Sequence, residues 1–241
     1  MAEKQVTTVP VVPDVIERAR GFWAKNSKAI MIAGSALILL AGAYLGYKYL
    51  YKIPRENKAS ELIFPAEKLY DKMSTTSSYG KDTLNLVLNG GNLQGQTITG
   101  LLKIISQYDG TLTANRAHYI VGACYLQLKE FDKAIKHLKK FEGHGASQIE
   151  SKAYIMLGLA YSEQKKTDDA LRYFKKAAAA GGPDAGMVTE ALYLGARYAE
   201  TVGKSKDAIE MFKRLKEDYP ASQHVSSGDV DRYLGKLGVT N

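Results

Sequence analysis

Between Lys28 and Lys48 this chain runs for 19 residues, 29–47, without a charged side chain. At about 1.5 Å of rise per residue, a helix of that length reaches roughly 28 Å, close to the hydrocarbon thickness of a bilayer. Ile30, Met31, Ile32, Leu37, Ile38, Leu39, Leu40 and Leu45 lie in it with small residues between, and no polar face appears. Such a helix belongs in lipid or deep inside protein. Three readings compete: a single-pass anchor, a cleaved signal peptide with Ala41-Gly42-Ala43 as its cleavage-like site, and a buried core helix. The 28 residues ahead of the run are long for an n-region, and the run exceeds the usual h-region of about 7–15 residues. An anchor is therefore expected. Phe22 and Trp23 on one side, and Tyr44, Tyr47, Tyr49 and Tyr51 on the other, stand where aromatic rings favour the headgroup level.

Charge does not orient the span. Arg18, Arg20, Lys25 and Lys28 precede it, and Lys48, Lys52, Arg55 and Lys58 follow it. A short tail ahead of a large domain usually stays in the cytoplasm, so that orientation is expected. Gly42 and Gly46 form a G-x-x-x-G, which lets backbones approach within a membrane; they are the candidate helix–helix contact. Val12, Val15, Ile16, Ala19, Phe22 and Trp23 recur at helical spacing upstream. An interfacial amphipathic helix and a helical extension of the span fit this equally.

The formal charge of +8 divides into a tail with five basic and three acidic residues and a part from Lys48 onward with 28 basic and 22 acidic. Signs alternate along the chain, as in Lys129-Glu130, and Lys139-Lys140 and Lys175-Lys176 are isolated pairs. This describes solvated helix faces, not a phosphate-tracking stripe, and no nucleic-acid partner is expected. Lys48 and Lys52 are placed to touch headgroups of the lipid bilayer. Cys124 is the only cysteine, so no intrachain disulfide forms; its apolar neighbours predict a buried thiol.

From about Thr113 the chain repeats. His118-x-x-Val121-Gly122-x-x-Tyr125 with Ala134, Leu138 and Phe141 is followed, 36 positions on, by Tyr154-x-x-Leu157-Gly158-x-x-Tyr161 with Ala170, Phe174 and Ala177. A third unit reads Ala191-x-x-Leu194-Gly195-x-x-Tyr198 with Ala208, Phe212 and Leu215, one extra residue being expected in the turn near Gly203. The set resembles the tetratricopeptide (TPR) repeat, a helix hairpin of near 34 residues. The Gly admits a close second helix, the Tyr covers the contact, and the small Ala leaves room for the next unit. Each hairpin needs neighbours to bury its apolar face.

The expected fold is all-α: a single N-terminal transmembrane helix followed by an α-solenoid of TPR hairpins. Residues 1–28 form a cytoplasmic tail, 29–51 the transmembrane helix, 52–112 a degenerate helical repeat with an insertion, 113–220 three TPR units and 221–241 a capping helix. Residues 56–72 and 97–107 read as helices; Ser74 to Ser78 and Asn89-Gly90-Gly91-Asn92 read as loops, with residues 84–88 of open type. Residues 229–237 read as a final helix capped by Ser226 or Ser227.

No catalytic, cofactor or metal site is expected. His118, His137, His144 and His224 show no ligand spacing, and Asn89-Gly90-Gly91-Asn92 lacks the Lys and Ser/Thr of a phosphate loop. Asp168-Asp169 suits a helix start. What remains is the concave wall lined by the first helices. Arg116, Tyr119, Ala123 and Leu126 are expected on it from the first unit, Lys152, Ile155, Leu159 and Ser162 from the second, and Thr189, Leu192 and Ala196 from the third. This partner groove is mostly apolar and suits an amphipathic helix or an extended hydrophobic segment, unless the chain's own helices fill it.

Phe22-Trp23-Ala24-Lys25-Asn26-Ser27-Lys28-Ala29, straight before a single span and TPR helices, resembles the YfgM-like ancillary subunits of the bacterial Sec translocon. Residues 63–92 are similar to TPR membrane proteins of Bacteroidetes-type bacteria, with the 74–95 insertion as a departure from the better-known members. The resemblance implies a non-catalytic inner-membrane protein with a cytoplasmic N-terminus and a periplasmic TPR domain. Its partners would be Sec translocon subunits, a membrane-anchored periplasmic chaperone of the prolyl isomerase type, and emerging polypeptide clients. A structural adaptor in another envelope complex is the alternative.

Overall fold

The computed structural model describes residues 13–76, 78 and 80–239, so Val12 and the rest of the first twelve positions lie outside the described residues. The chain forms two compact units, Met1–Pro54 and Arg55–Asn241.

In the first unit, helix α1 (Pro13–Gly46) is a single helix with no break between the tail and the apolar run, so the upstream apolar residues continue the same helix. Its apolar side chains are bare: Ile38 is 74% exposed. Polar side chains within it bond to its own backbone. Asn26 Nδ2 donates to the Phe22 carbonyl at 3.0 Å and Ser35 Oγ to that of Met31 at 2.8 Å, which removes most of their cost in an apolar medium. The regular winding then widens into a π-helical stretch, Tyr47–Lys52, where Tyr47 and Tyr51 stack at 5.5 Å. The helix is long and apolar enough to cross a membrane.

The second unit opens with α2 (Ile53–Thr76), which buries Ala59, Ile63, Ala66 and Met73. Helix α3 (Lys81–Asn89) follows, and Leu84, Val87 and Leu88 supply its buried face. The insertion departs from the sequence reading. Asn89 closes α3, and strands β1 (Gly90–Leu93) and β2 (Gln96–Thr99) form an antiparallel hairpin with Gly91 opposite Ile98. Gly90, at φ +81°, sits so close to Gly100 that an added Cβ would lie 2.6 Å from its nitrogen. A glycine cluster without apolar alternation gave no strand signal. The helix expected over 97–107 starts only at Leu101, as α4 (Leu101–Gln107).

Three hairpins follow: α5 (Leu112–Gln127) with α6 (Phe131–Leu138), α7 (Ser147–Glu163) with α8 (Thr167–Ala180), and α9 (Ala185–Thr201) with α10 (Ser205–Asp218). Within each, the repeated glycine faces the second helix. A Cβ on Gly122 would lie 2.5 Å from Leu138 Cγ, on Gly158 2.8 Å from Phe174 Cε1, and on Gly195 2.9 Å from Met211 Sδ. Every turn places one residue at positive φ: Lys129 at 62°, Lys165 at 57° and Gly203 at 74°. Each closes with the same type of backbone bond, Glu130 N to Tyr125 O, Lys166 N to Tyr161 O and Lys204 N to Ala199 O. The extra residue of the third unit therefore lengthens the end of α9 and leaves the turn unchanged.

The end of the chain holds two helices, α11 (Gln223–Ser226) and α12 (Asp229–Lys236). The N-cap of α12 is Gly228 at φ 77°, with no side-chain cap, so neither Ser226 nor Ser227 caps it. Val230 and Leu234 of α12 are buried, and Tyr233 stacks on Phe212 at 5.1 Å. The terminal helix thus covers the last hairpin's apolar face.

Candidate functional site

Helix α2 supplies what the repeat pattern lacks, a wall beside the first hairpin. Glu56 accepts from Leu112 N at 2.8 Å, Thr113 N at 2.9 Å and Thr113 Oγ at 2.6 Å. A carboxylate on the free amides of α5's first turn satisfies donors the helix cannot pair itself. Arg55 donates to the Gln107 carbonyl at 2.8 Å, and Glu67 meets Arg116 Nε at 3.2 Å. Thr111 caps α5 through its Oγ, which accepts from Ala114 N at 3.0 Å.

These contacts leave a cavity of about 520 Å³ between α2, α5 and the α6–α7 loop, within the roughly 300–1,000 Å³ of ligand clefts. Tyr70, Leu112, Tyr119, Ile120, Phe141 and Ile149 give it an apolar floor, with Glu67, Asp71, Asn115, Arg116 and His144 at its edges. Leu112 and Ile149 are exposed. Asn115 fixes the loop, since its amide donates to the Glu142 carbonyl and accepts from Glu142 N, both at 2.8 Å.

The eleven groove residues divide along the solenoid. Arg116 and Tyr119 line the cavity; Tyr119 is half-buried with its ring 5.4 Å from Phe141. Ala123 is buried and Leu126 half-buried. In the second unit Lys152 is exposed, Ile155 buried, and Leu159 half-buried; Ser162 turns its Oγ back to the Leu159 carbonyl at 2.7 Å. Thr189, Leu192 and Ala196 of the third unit are buried, and Thr189 lines a second cavity of about 560 Å³ with Glu190, Tyr219 and His224. The apolar cavity thus takes Arg116 and Tyr119 from the predicted groove, and Glu67, Tyr70 and Asp71 join it from a helix outside the repeat register. Gly42 and Gly46 lie in the other unit, with nothing within 4 Å of an added Cβ.

The histidines are closer than their spacing implied. His118 Nδ1 and His137 Nδ1 are 3.0 Å apart across the first hairpin, and the Tyr125 ring lies 5.8 Å from that of His137. The two nitrogens address each other as donor and acceptor, so the contact is a hydrogen bond within the packing. Among the described residues no group of three metal-ligating side chains forms. Burial, then the neighbouring His118, Lys136 and Lys140, push the His137 ring down to about 4; burial and Lys140 lower His118, against Asp109. His137 therefore stays neutral in the fold down to about pH 4, whereas it protonates near 6.5 when unfolded, and His118 is shifted in the same direction. Their contribution is therefore intact above about pH 6.5 and lost as pH falls toward 4. Discounted for partial solvent access, it is about 1–2 kcal/mol. Urea unfolding at pH 7.5 and pH 5 should show this loss, and His137→Gln, which keeps a donor for His118, should shrink it. An unchanged difference in the variant would remove the pair as its source. Cys124 is buried and its thiol is pushed up to about 12, so it is inert at neutral pH.

A family model described as a tetratricopeptide repeat-like domain matches residues 20–182, and one described as a tetratricopeptide repeat matches residues 190–222. No curated protein matches the chain. The first match begins ahead of the apolar run and extends through α8, and the second runs from within α9 past the end of α10.

Proposed function

Since the chain belongs to the tetratricopeptide repeat-like domain family, whose repeats serve protein–protein interaction, we propose that it is a non-catalytic membrane-anchored scaffold that takes polypeptide partners on its concave face. The observation that carries this is the apolar cavity of the first hairpin, in a chain that also holds a helix long and apolar enough to cross a bilayer. Following the layout of the YfgM-like subunits, α1 anchors it in a bacterial inner membrane, with the N-terminus cytoplasmic and the repeats periplasmic. There it sits beside the Sec translocon, bringing a membrane-anchored prolyl isomerase type chaperone to emerging secretory polypeptides or holding those polypeptides itself. Both activities need only binding, and no step requires a cofactor.

Crosslinking in intact cells, followed by purification in mild detergent and mass spectrometry, tests the reading. Translocon subunits and a periplasmic chaperone are expected in stoichiometric yield. Tyr119→Ser should reduce that yield several-fold while the helical signal is kept. Recovery of another envelope complex would transfer the role to a structural adaptor, and labelling of a cysteine added after Asn241 only from the cytoplasmic side would overturn the orientation.

A further inference from the structure

The cavity beside α2 carries charge unlike the domain around it. From Lys48 onward the chain has a basic excess, 28 basic against 22 acidic residues. At the cavity the α2 wall is acidic, with Glu67 and Asp71 one turn apart above the floor of Leu112, Tyr119, Phe141 and Ile149. Arg116 answers Glu67 at 3.2 Å. Among the described residues no Lys or Arg stands within ion-pair distance of Asp71, whose side chain is exposed. Arg116 is the one lysine or arginine among the cavity's lining residues, against the two carboxyls Glu67 and Asp71.

An apolar floor attracts large aliphatic or aromatic side chains, and an unanswered carboxylate at its edge attracts a cation while repelling an anion. We propose that the cavity selects unfolded polypeptide segments in which a large apolar side chain is followed within a few residues by a lysine or arginine. The apolar group lies over Leu112 and Ile149 and the cation meets Asp71. The inference rests on the groove reading above and narrows it to one class of segment. Free fatty acids, anionic headgroups and acidic peptides carry the wrong sign for this wall.

The test uses the full chain in mild detergent and a short fluorescein-labelled peptide with a leucine pair ahead of one lysine. A second peptide carries glutamate in place of the lysine. The lysine peptide should bind, and the glutamate peptide about tenfold more weakly, a difference that shrinks as salt rises. Asp71→Lys alters an exposed side chain and should reverse the preference. Leu112→Ser, also at an exposed position, should weaken both peptides alike. Equal binding of the two peptides, or an unchanged preference in Asp71→Lys, overturns the selectivity. If neither peptide binds while crosslinked partners are still recovered from cells, this inference fails and the scaffold reading stands. If partner recovery is also lost, both fail.

Discussion

Phe174→Ala should lower the stability of the repeat domain by about 3–5 kcal/mol, the cost of removing a buried ring from a core that cannot collapse around it. For a domain of this size that is a melting-temperature drop of about 10 °C. The ring is 1% exposed and touches two glycines in different hairpins. A Cβ on Gly158 would meet its Cε1 at 2.8 Å, and one on Gly195 would meet Phe174 Cβ at 2.8 Å. It also lies 6.4 Å, centroid to centroid, from Tyr198. A second substitution makes the test specific. Gly158→Ala alone gains about 1 kcal/mol of helix propensity and loses about 1–3 kcal/mol to overpacking. In the Phe174→Ala background the clash is gone, so the same change should stabilise. Thermal and urea unfolding of the four proteins read this as a double-mutant cycle. Additive effects would mean that the ring and the glycine do not share the space assigned to them.

Glu56→Ala should loosen the docking of α2 on the first hairpin while leaving the hairpins folded. The carboxylate accepts three hydrogen bonds at α5's first turn, from Leu112 N, Thr113 N and Thr113 Oγ. Capping and charge-assisted bonds of this kind together contribute about 2 kcal/mol. Much of what then holds α2 is the burial of Ala59, Ile63 and Ala66. Hydrogen exchange should show faster opening of the α2 amides, and peptide binding at the cavity should fall several-fold because Glu67, Tyr70 and Asp71 lose their position. Helical circular dichroism should change little. Protected α2 amides in the variant would show that apolar packing alone fixes the wall.

The repeats were legible because their physics recurs. The spacing of Gly122, Gly158 and Gly195 marks them as close-approach positions, and each lies against its second helix. The apolar run was legible for the same reason: nothing in it pays for water. The cavity wall was not, because α2 stands outside the register and is held by Glu56, which reaches 56 positions along the chain to Leu112, a pairing no local pattern announces. The β-hairpin was hidden by Gly90 and Gly91, which carry no side chains to alternate. The His118–His137 bond was missed because a 19-residue separation matches no ligand motif; only the turn at Lys129 brings the rings together. The burial of Thr189, Leu192 and Ala196 reflects stacking between units, which a single-unit register does not contain.

Phe174 belongs to α8 but packs against Gly195 of α9 as well as Gly158 of α7. One ring is therefore shared by two units, and the second and third hairpins cannot be cut apart cleanly. A fragment ending at Ala180 would open the Phe174 ring, 1% exposed in the whole chain, to water, so a truncation that keeps the second hairpin has to keep the third as well.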